Sequence, residues 1–284
     1  MRGNSGCKLE IIYGNHTIVR KISYDINYNR RLKFQMTLQS NFLDKEIYTP
    51  NIFGSGYIDG NYYFDMEYIN GNNLVYWLES ADIDSIKKKI IMILKQVSSN
   101  EPLDSKNKTR DDINVLISDK FNTLEKTMVS ENFQNTISSC KDAILNFDYS
   151  LIPLSKCHGD LTLENIIISE DDKIYFIDFL DSFVESWLID ISKLLQDSLL
   201  FWSLRFKLNK ISYNHIIRLN SVNDSIFSYM SLNFDKYYVD LIFRLLLLNV
   251  LRIIPYCKDY NTAQWINEST IELLKFIKGE RKWY

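Results

Sequence analysis

His158-Gly159-Asp160-Leu161-Thr162-Leu163-Glu164-Asn165 and Ile174-Tyr175-Phe176-Ile177-Asp178-Phe179-Leu180-Asp181 are the two stretches on which the reading of this sequence turns. Between and within them, two apolar runs, Ile166–Ser169 and Ile174–Phe179, are joined by the polar Glu170-Asp171-Asp172-Lys173, the composition of a β-hairpin with its turn. A regular hairpin closed by that four-residue turn pairs Ser169 with Ile174, Ile167 with Phe176 and Asn165 with Asp178. Opposed residues in an antiparallel pair have Cα atoms about 4.5–5.5 Å apart. An amide oxygen and a carboxylate are therefore expected to face each other, as oxygen ligands suited to Mg²⁺. Asp160 precedes Asn165 by five residues, close enough for the loop to bring it to the same point. Asp178, between Ile177 and Phe179, breaks the local apolar rule in the way functional sites do. Taken singly, Asp160 also reads as a turn cap and Asn165 as the end of a turn.

Outward from this ribbon, the first part of the chain carries strand and turn signals and the rest carries helices. Cys7–Tyr13 and His16–Ile22 flank a two-residue turn at Gly14-Asn15. Asn29–Phe42 spaces Leu32, Met36, Leu38 and Phe42 as a helical face, and Ile52–Ile58 with Tyr62–Ile69 form a second hairpin around Asp59-Gly60-Asn61. Asn70-Gly71-Asn72-Asn73 interrupts the pattern, which places a boundary between residues 1–70 and residues 71–284. Beyond it Leu74–Ser80, Ile83–Val97, Ile113–Met128 and Phe133–Phe147 read as helices, the polar run Ser98–Asp112 as their loop, and helical patterns resume from Trp187. Strands first and helices later give an α+β protein. Gly54-Ser55-Gly56 and Gly60 imitate a dinucleotide-binding loop, but the spacing is G-x-G-x-x-x-G and no helix follows, so bulges and turns in a hairpin explain them better.

The chain has 33 basic and 36 acidic residues, a balance that argues against a nucleic-acid-binding protein. Its four scattered cysteines form no C-x-x-C pair and favour a reducing compartment. The most apolar stretch, Leu241–Pro255, carries Arg244 and Arg252 and falls short of the roughly 20 residues a span requires. Met1–Gly6 has no apolar signal region. A cytoplasmic protein with no membrane insertion is expected.

H-G-D-x-x-x-x-N followed by an apolar strand ending in I-D-F resembles the aminoglycoside phosphotransferase and choline kinase superfamily, small-molecule kinases that share the protein-kinase fold. The resemblance implies a bilobal protein, with an N-terminal antiparallel-sheet lobe and a mainly helical C-terminal lobe. It implies that Asp160 deprotonates the acceptor hydroxyl and that Asn165 and Asp178 hold Mg²⁺ against the phosphates of ATP, with GTP as the alternative nucleotide. His158 and Asp190 would be structural supports, a simple exposed helix charge being the other reading of Asp190. In Ile18-Val19-Arg20-Lys21, Lys21 matches the family's phosphate-pairing lysine, with Arg20 the runner-up. The two-residue turn would set Lys21 opposite Lys8, an unfavourable pair that a bound triphosphate would neutralise. Gly3, Ser5 and Gly6 would belong to the flexible phosphate cover, a frayed terminus being the competing reading. Phe64–Gly71 resembles the interlobe hinge, where Met66, Glu67 and Ile69 would meet the adenine. The glutamate that should pair with the lysine is missing from Asn29–Phe42; Gln35 is the candidate replacement and Glu46 another source of a carboxylate.

Gly159 stands where protein kinases have the arginine of H-R-D, and no proline occurs between Pro153 and Pro255, which leaves no A-P-E segment. Both features favour a small hydroxylated acceptor over a protein substrate. Asp181, Glu185 and Trp187 could take an ammonium group, whereas Asp197, Trp202 and Arg205 could hydrogen-bond and stack on a sugar. The expectation is a kinase of a sugar or sugar-like metabolite, resembling bacterial phosphotransferases of surface-polysaccharide precursor synthesis. An aminoglycoside or amino-alcohol kinase and a nucleotide-binding pseudokinase are the alternatives. Oligomeric state is left open.

Overall fold

β1 (Cys7–Ile12) and β2 (Ile18–Ser23) open an antiparallel sheet completed by β4 (Ile52–Ile58) and β5 (Asn61–Glu67), in the order β1-β2-β5-β4. The computed structural model describes residues 7–42, 44, 46–99, 110–127, 129–207 and 210–281. These fall into two compact units that do not follow chain order. One comprises the chain up to Trp77 together with His158–Asp181; the other comprises Leu78–Cys157 and Ser182 onward. The H-G-D motif and the ribbon after it thus belong with the sheet.

Asp59 and Gly60 both have positive φ, at 49° and 81°, and close β4 onto β5 as a two-residue turn of the primed type. Gly54 and Gly56 lie within β4, beside a register shift between Ile52 and Gly54, as expected of hairpin glycines. Gly14 and Asn15 are not among the positive-φ residues, so the β1–β2 connection is a five-residue loop, Tyr13–Thr17. The register moves by one place as a result. Lys21 faces Leu9, and Lys8 faces Ile22 and pairs instead with Glu10. The expected opposition of Lys8 and Lys21, and the argument built on it, are therefore corrected.

Period-two alternation sends Cys7, Lys21, Phe64 and Met66 to one face of this sheet and Glu10, Arg20 and Asp65 to the other. The first face is covered by α1 (Asn29–Ser40), whose buried positions are Leu32, Gln35 and Gln39, not the wholly apolar set read from the sequence. Leu32, Cys7, Tyr62, Phe64 and Met66 form the core there, with Val19, Tyr28, Met36 and Ile52 packed around them. Full burial of an apolar side chain contributes about 1.5–3 kcal/mol. The two glutamines are tolerated because each is hydrogen-bonded, Gln39 Nε2 to the Pro50 carbonyl at 2.8 Å and Gln35 to Lys21.

The second sheet of this unit has the order β3-β8-β7-β6, from β3 (Ile47–Tyr48), β6 (Gly71–Asn73), β7 (Ile166–Ser169) and β8 (Ile174–Phe176). Here too the turn decides the register. Asp172 N–H donates to Ser169 O at 2.9 Å, Ser169 N–H to Lys173 O at 3.0 Å, and Asp172 has φ 63°. This is a three-residue loop ending in a left-handed bulge, one residue shorter than expected. Ile166 therefore pairs with Phe176 and Ile168 with Ile174, and the expected pairing of Asn165 with Asp178 is corrected. Asn165 ends a 3₁₀ turn, Leu163–Asn165, and Asp178 lies beyond the strand.

The other unit is helical. α3 (Ile83–Ser98) packs on α7 (Tyr213–Asn233), α4 (Arg110–Glu125) on α5 (Glu131–Leu145), and α6 (Trp187–Ser198) and α9 (Tyr260–Ile277) on α8 (Lys236–Leu251). The short α2 (Leu74–Trp77) belongs to the first unit. α8 carries the apolar stretch noted in the sequence: from Leu241 to Leu251 every residue but Arg244 is buried. Among the described residues no helix is long and apolar enough to cross a membrane. Residues 100–109 of the expected polar loop lie outside the described residues.

Candidate active site

His158, buried within its unit, ties the H-G-D loop to the ribbon. Its Nε2 lies 2.7 Å from Ile177 O, its Nδ1 accepts from Asp160 N–H at 3.2 Å, and its carbonyl accepts from Leu180 N–H at 2.9 Å. With Nδ1 accepting, the neutral ring carries its proton on Nε2. The ring packs against Phe179, centroids 4.3 Å apart, and Phe179 in turn meets Phe42 at 5.5 Å. Burial pushes the imidazole from its ordinary 6.5 down to about 4. A histidine kept neutral in the fold contributes stability above its unfolded value, and that contribution is lost as pH falls from the unfolded value toward the folded one. Between pH 7 and pH 5 this costs about 2 kcal/mol. Urea titrations at the two pH values should show that loss, and His158→Gln should lower stability at pH 7 while flattening the pH dependence. An equally steep dependence in the variant would contradict the assignment.

Ile177 is held at both polar groups, since its N–H donates to Asn165 O at 3.0 Å and its carbonyl meets His158. The next residue, Asp178, takes φ 62°. This left-handed turn, not strand pairing, aims the carboxylate. Asp178 Oδ1 accepts from Lys21 Nζ at 2.7 Å, across 157 positions of sequence. Lys21 is 2 % exposed and also donates to Gln35 Oε1 at 3.0 Å; Gln35 Nε2 donates to Tyr28 OH at 3.2 Å. Cys7, buried near the pair, has its thiol pushed up to about 11 by burial, the Lys21 charge opposing the rise.

Asp160 and Asn165 meet across the 3₁₀ turn. Asn165 Nδ2 donates to Asp160 O at 2.7 Å and lies 3.4 Å from Asp160 Oδ2, while Thr162 N–H donates to Asp160 O at 2.8 Å. Among the described residues there is no cluster of three His, Cys, Asp or Glu side chains for a closed metal cage. Mg²⁺ needs no such cage, since it is commonly bound through one or two carboxylates, substrate phosphates and water. The hard-oxygen donors of Asp178 and Asn165 fit that mode.

The remaining sequence-derived residues divide. Arg20 points to the opposite face of the sheet and is spent on a two-bond pair with Asp65, at 2.7 and 2.8 Å. Met66 is in the core, Glu67 ends β5 with its carboxylate on Asn51, and Ile69 lies in the segment between β5 and β6. Gly3, Ser5 and Gly6 lie outside the described residues. Asp181 forms an exposed ion pair with Arg31 at 3.3 Å. In the helical unit, Asp190 is 1 % exposed, which removes the reading of it as a surface charge. Trp187 is packed in the core against Phe234, centroids 4.8 Å apart, and Glu185 is exposed. Arg205 stacks on Trp202 at 3.7 Å, with the Trp265 ring 4.7 Å from Trp202, and Asp197 is buried, accepting from Ser203 N–H and Oγ–H. Tyr28 and Arg31 were missed by sequence reasoning. Tyr28 precedes Gln35 by two helical turns on the same face, a spacing that could have revealed it.

A sheet with one helix beneath it, in one unit with the motif loop and its ribbon, is the frame of the protein-kinase-like enzymes, and the class is that of small-molecule kinases. The sequence model of the phosphotransferase enzyme family, APH, matches residues 13–207, well over half of the chain, and the chain belongs to that family. No curated protein is matched by sequence. Among solved structures, a thermostable mutant of aminoglycoside phosphotransferase APH(4)-Ia, in ternary complex with AMP-PNP and hygromycin B, superposes with TM-score 0.65 at 10% identity, covering 97% of this chain and 92% of that one. The gentamicin complex of APH(2")-IIa gives 0.54 at 17% identity, covering 94% and 88%. At such identities the likeness establishes the shared fold.

Proposed function

We propose that this enzyme transfers the γ-phosphate of ATP to a hydroxyl of a sugar or sugar-like metabolite. The observation that carries the reading is the meeting of Lys21 with Asp178 at 2.7 Å, in the same unit as Asp160 and Asn165. Lys21 binds the phosphates. Asp160 accepts the proton of the attacking hydroxyl, and Asn165 and Asp178 hold Mg²⁺. When bound, the cation neutralises charge on the phosphates. The backbone of Glu67 and Ile69, beside Met66, meets the adenine, and Gly3, Ser5 and Gly6 cover the phosphates. His158 supports the loop.

A sugar ranks ahead of a polycationic aminoglycoside because two of the residues that could take an ammonium group are already engaged, Asp181 with Arg31 and Trp187 in the core against Phe234. Hygromycin B and gentamicin in the solved relatives keep the aminoglycoside alternative open. Glu185, Trp202 and Arg205 are the acceptor-binding candidates that remain. ADP release measured across a panel of sugars, amino alcohols and aminoglycosides decides. Turnover with a neutral sugar supports the proposal, turnover confined to aminoglycosides replaces the acceptor, and Mg²⁺–ATP binding with no transfer to any acceptor rejects it in favour of a pseudokinase.

A further inference from the structure

Lys21 and Gln35 are both buried, and the lysine ammonium touches Gln35 Oε1 and Asp178 Oδ1. Because Gln35 Nε2 is committed to Tyr28 OH, its oxygen is the atom presented to the lysine. A buried ammonium needs a compensating negative charge, and removing that charge is strongly destabilising. Gln35 is neutral, so among the described residues the compensation comes from Asp178.

We propose that Gln35 is a positioning residue that tethers Lys21 without charge, leaving Asp178 as the lysine's counter-ion, so that nucleotide binding is an exchange in which the phosphates replace Asp178 on Lys21. The exchange rests on the proposed roles of Lys21 and Asp178; the tether does not. Incoming phosphates meet a lysine–carboxylate pair of zero net charge, and the Asp178 carboxylate they displace would be free to hold a cation. A glutamate in place of Gln35 would leave a second negative charge on the lysine, and the phosphates would meet a net negative cluster.

Two measurements test this. The first is a double-mutant cycle on urea stability with Gln35→Glu and Asp178→Asn. Asp178→Asn alone should lower the unfolding midpoint sharply, and adding Gln35→Glu should restore at least half of the loss, because the introduced carboxylate supplies the missing charge. Additive effects would overturn the tether. The second is calorimetric titration of ADP in EDTA, in which Gln35→Glu should bind about tenfold more weakly than the wild type. Unchanged or tighter binding would overturn the exchange, and this measurement stands if Asp178→Asn fails to fold. A coupled stability cycle together with no ADP binding by the wild-type protein, in EDTA or in Mg²⁺, would remove the exchange and the proposed function but uphold the tether.

Discussion

Asp160→Asn should lower kcat by about 10²–10⁴-fold, the contribution typical of a positioned general base. The substitution removes the carboxylate proposed to accept the proton and leaves the main chain of the loop in place. The bonds that hold the loop run to the Asp160 main chain, from Thr162 N–H at 2.8 Å and Asn165 Nδ2 at 2.7 Å, and an asparagine keeps both. Nucleotide affinity should stay within about twofold of the wild type, since the loss is confined to the transition state. Single-turnover kinetics with a fluorescent ATP analogue separate the two quantities. Retention of wild-type kcat would dismiss Asp160 as the base.

Gly159→Ala should cost about 4 kcal/mol of stability or more, among the largest effects a single substitution produces. Gly159 has φ 83°, and a Cβ added there would lie 2.1 Å from Leu180 O. An L-residue in the left-handed region pays about 1–2 kcal/mol before any clash. Relieving the overlap must also separate the loop from the ribbon and break the Leu180 N–H to His158 O bond. Urea unfolding at pH 7 measures the loss, and turnover should fall with it. A variant within about 0.5 kcal/mol of the wild type would show that the close approach is absent, because surface substitutions have effects of that size. The same geometry explains why the arginine of H-R-D has no counterpart here: at this position no side chain fits.

Much of the site was legible in the sequence because its residues violate local expectation. Asp178 in an apolar run, and Gln35 where a glutamate was due, each stood out before any contact was known. The two hairpin registers were not legible, and both errors came from turn chemistry. Gly14-Asn15 has the composition of a primed two-residue turn but does not adopt the positive φ such a turn requires. Glu170–Lys173 was counted as a four-residue loop, whereas Asp172 bulges and Lys173 joins the ladder. A one-residue slip moves every side chain to the other face of a strand, so the expected facing of Asn165 and Asp178 failed even though both residues had been singled out.

Composition, period and motif by themselves determined the three longer hairpins, the α+β class and which acids and lysine to single out as candidates, because these depend on neighbours a few residues away. Only the tertiary structure decided that Asp178 is aimed by a left-handed turn pinned through Ile177 to His158 and Asn165, and that Lys21 is shared between Gln35 and that acid. Those contacts join segments up to 157 positions apart. The desolvated lysine is stable there only because folding supplies an amide and a carboxylate together, a pairing that no local rule of sequence encodes.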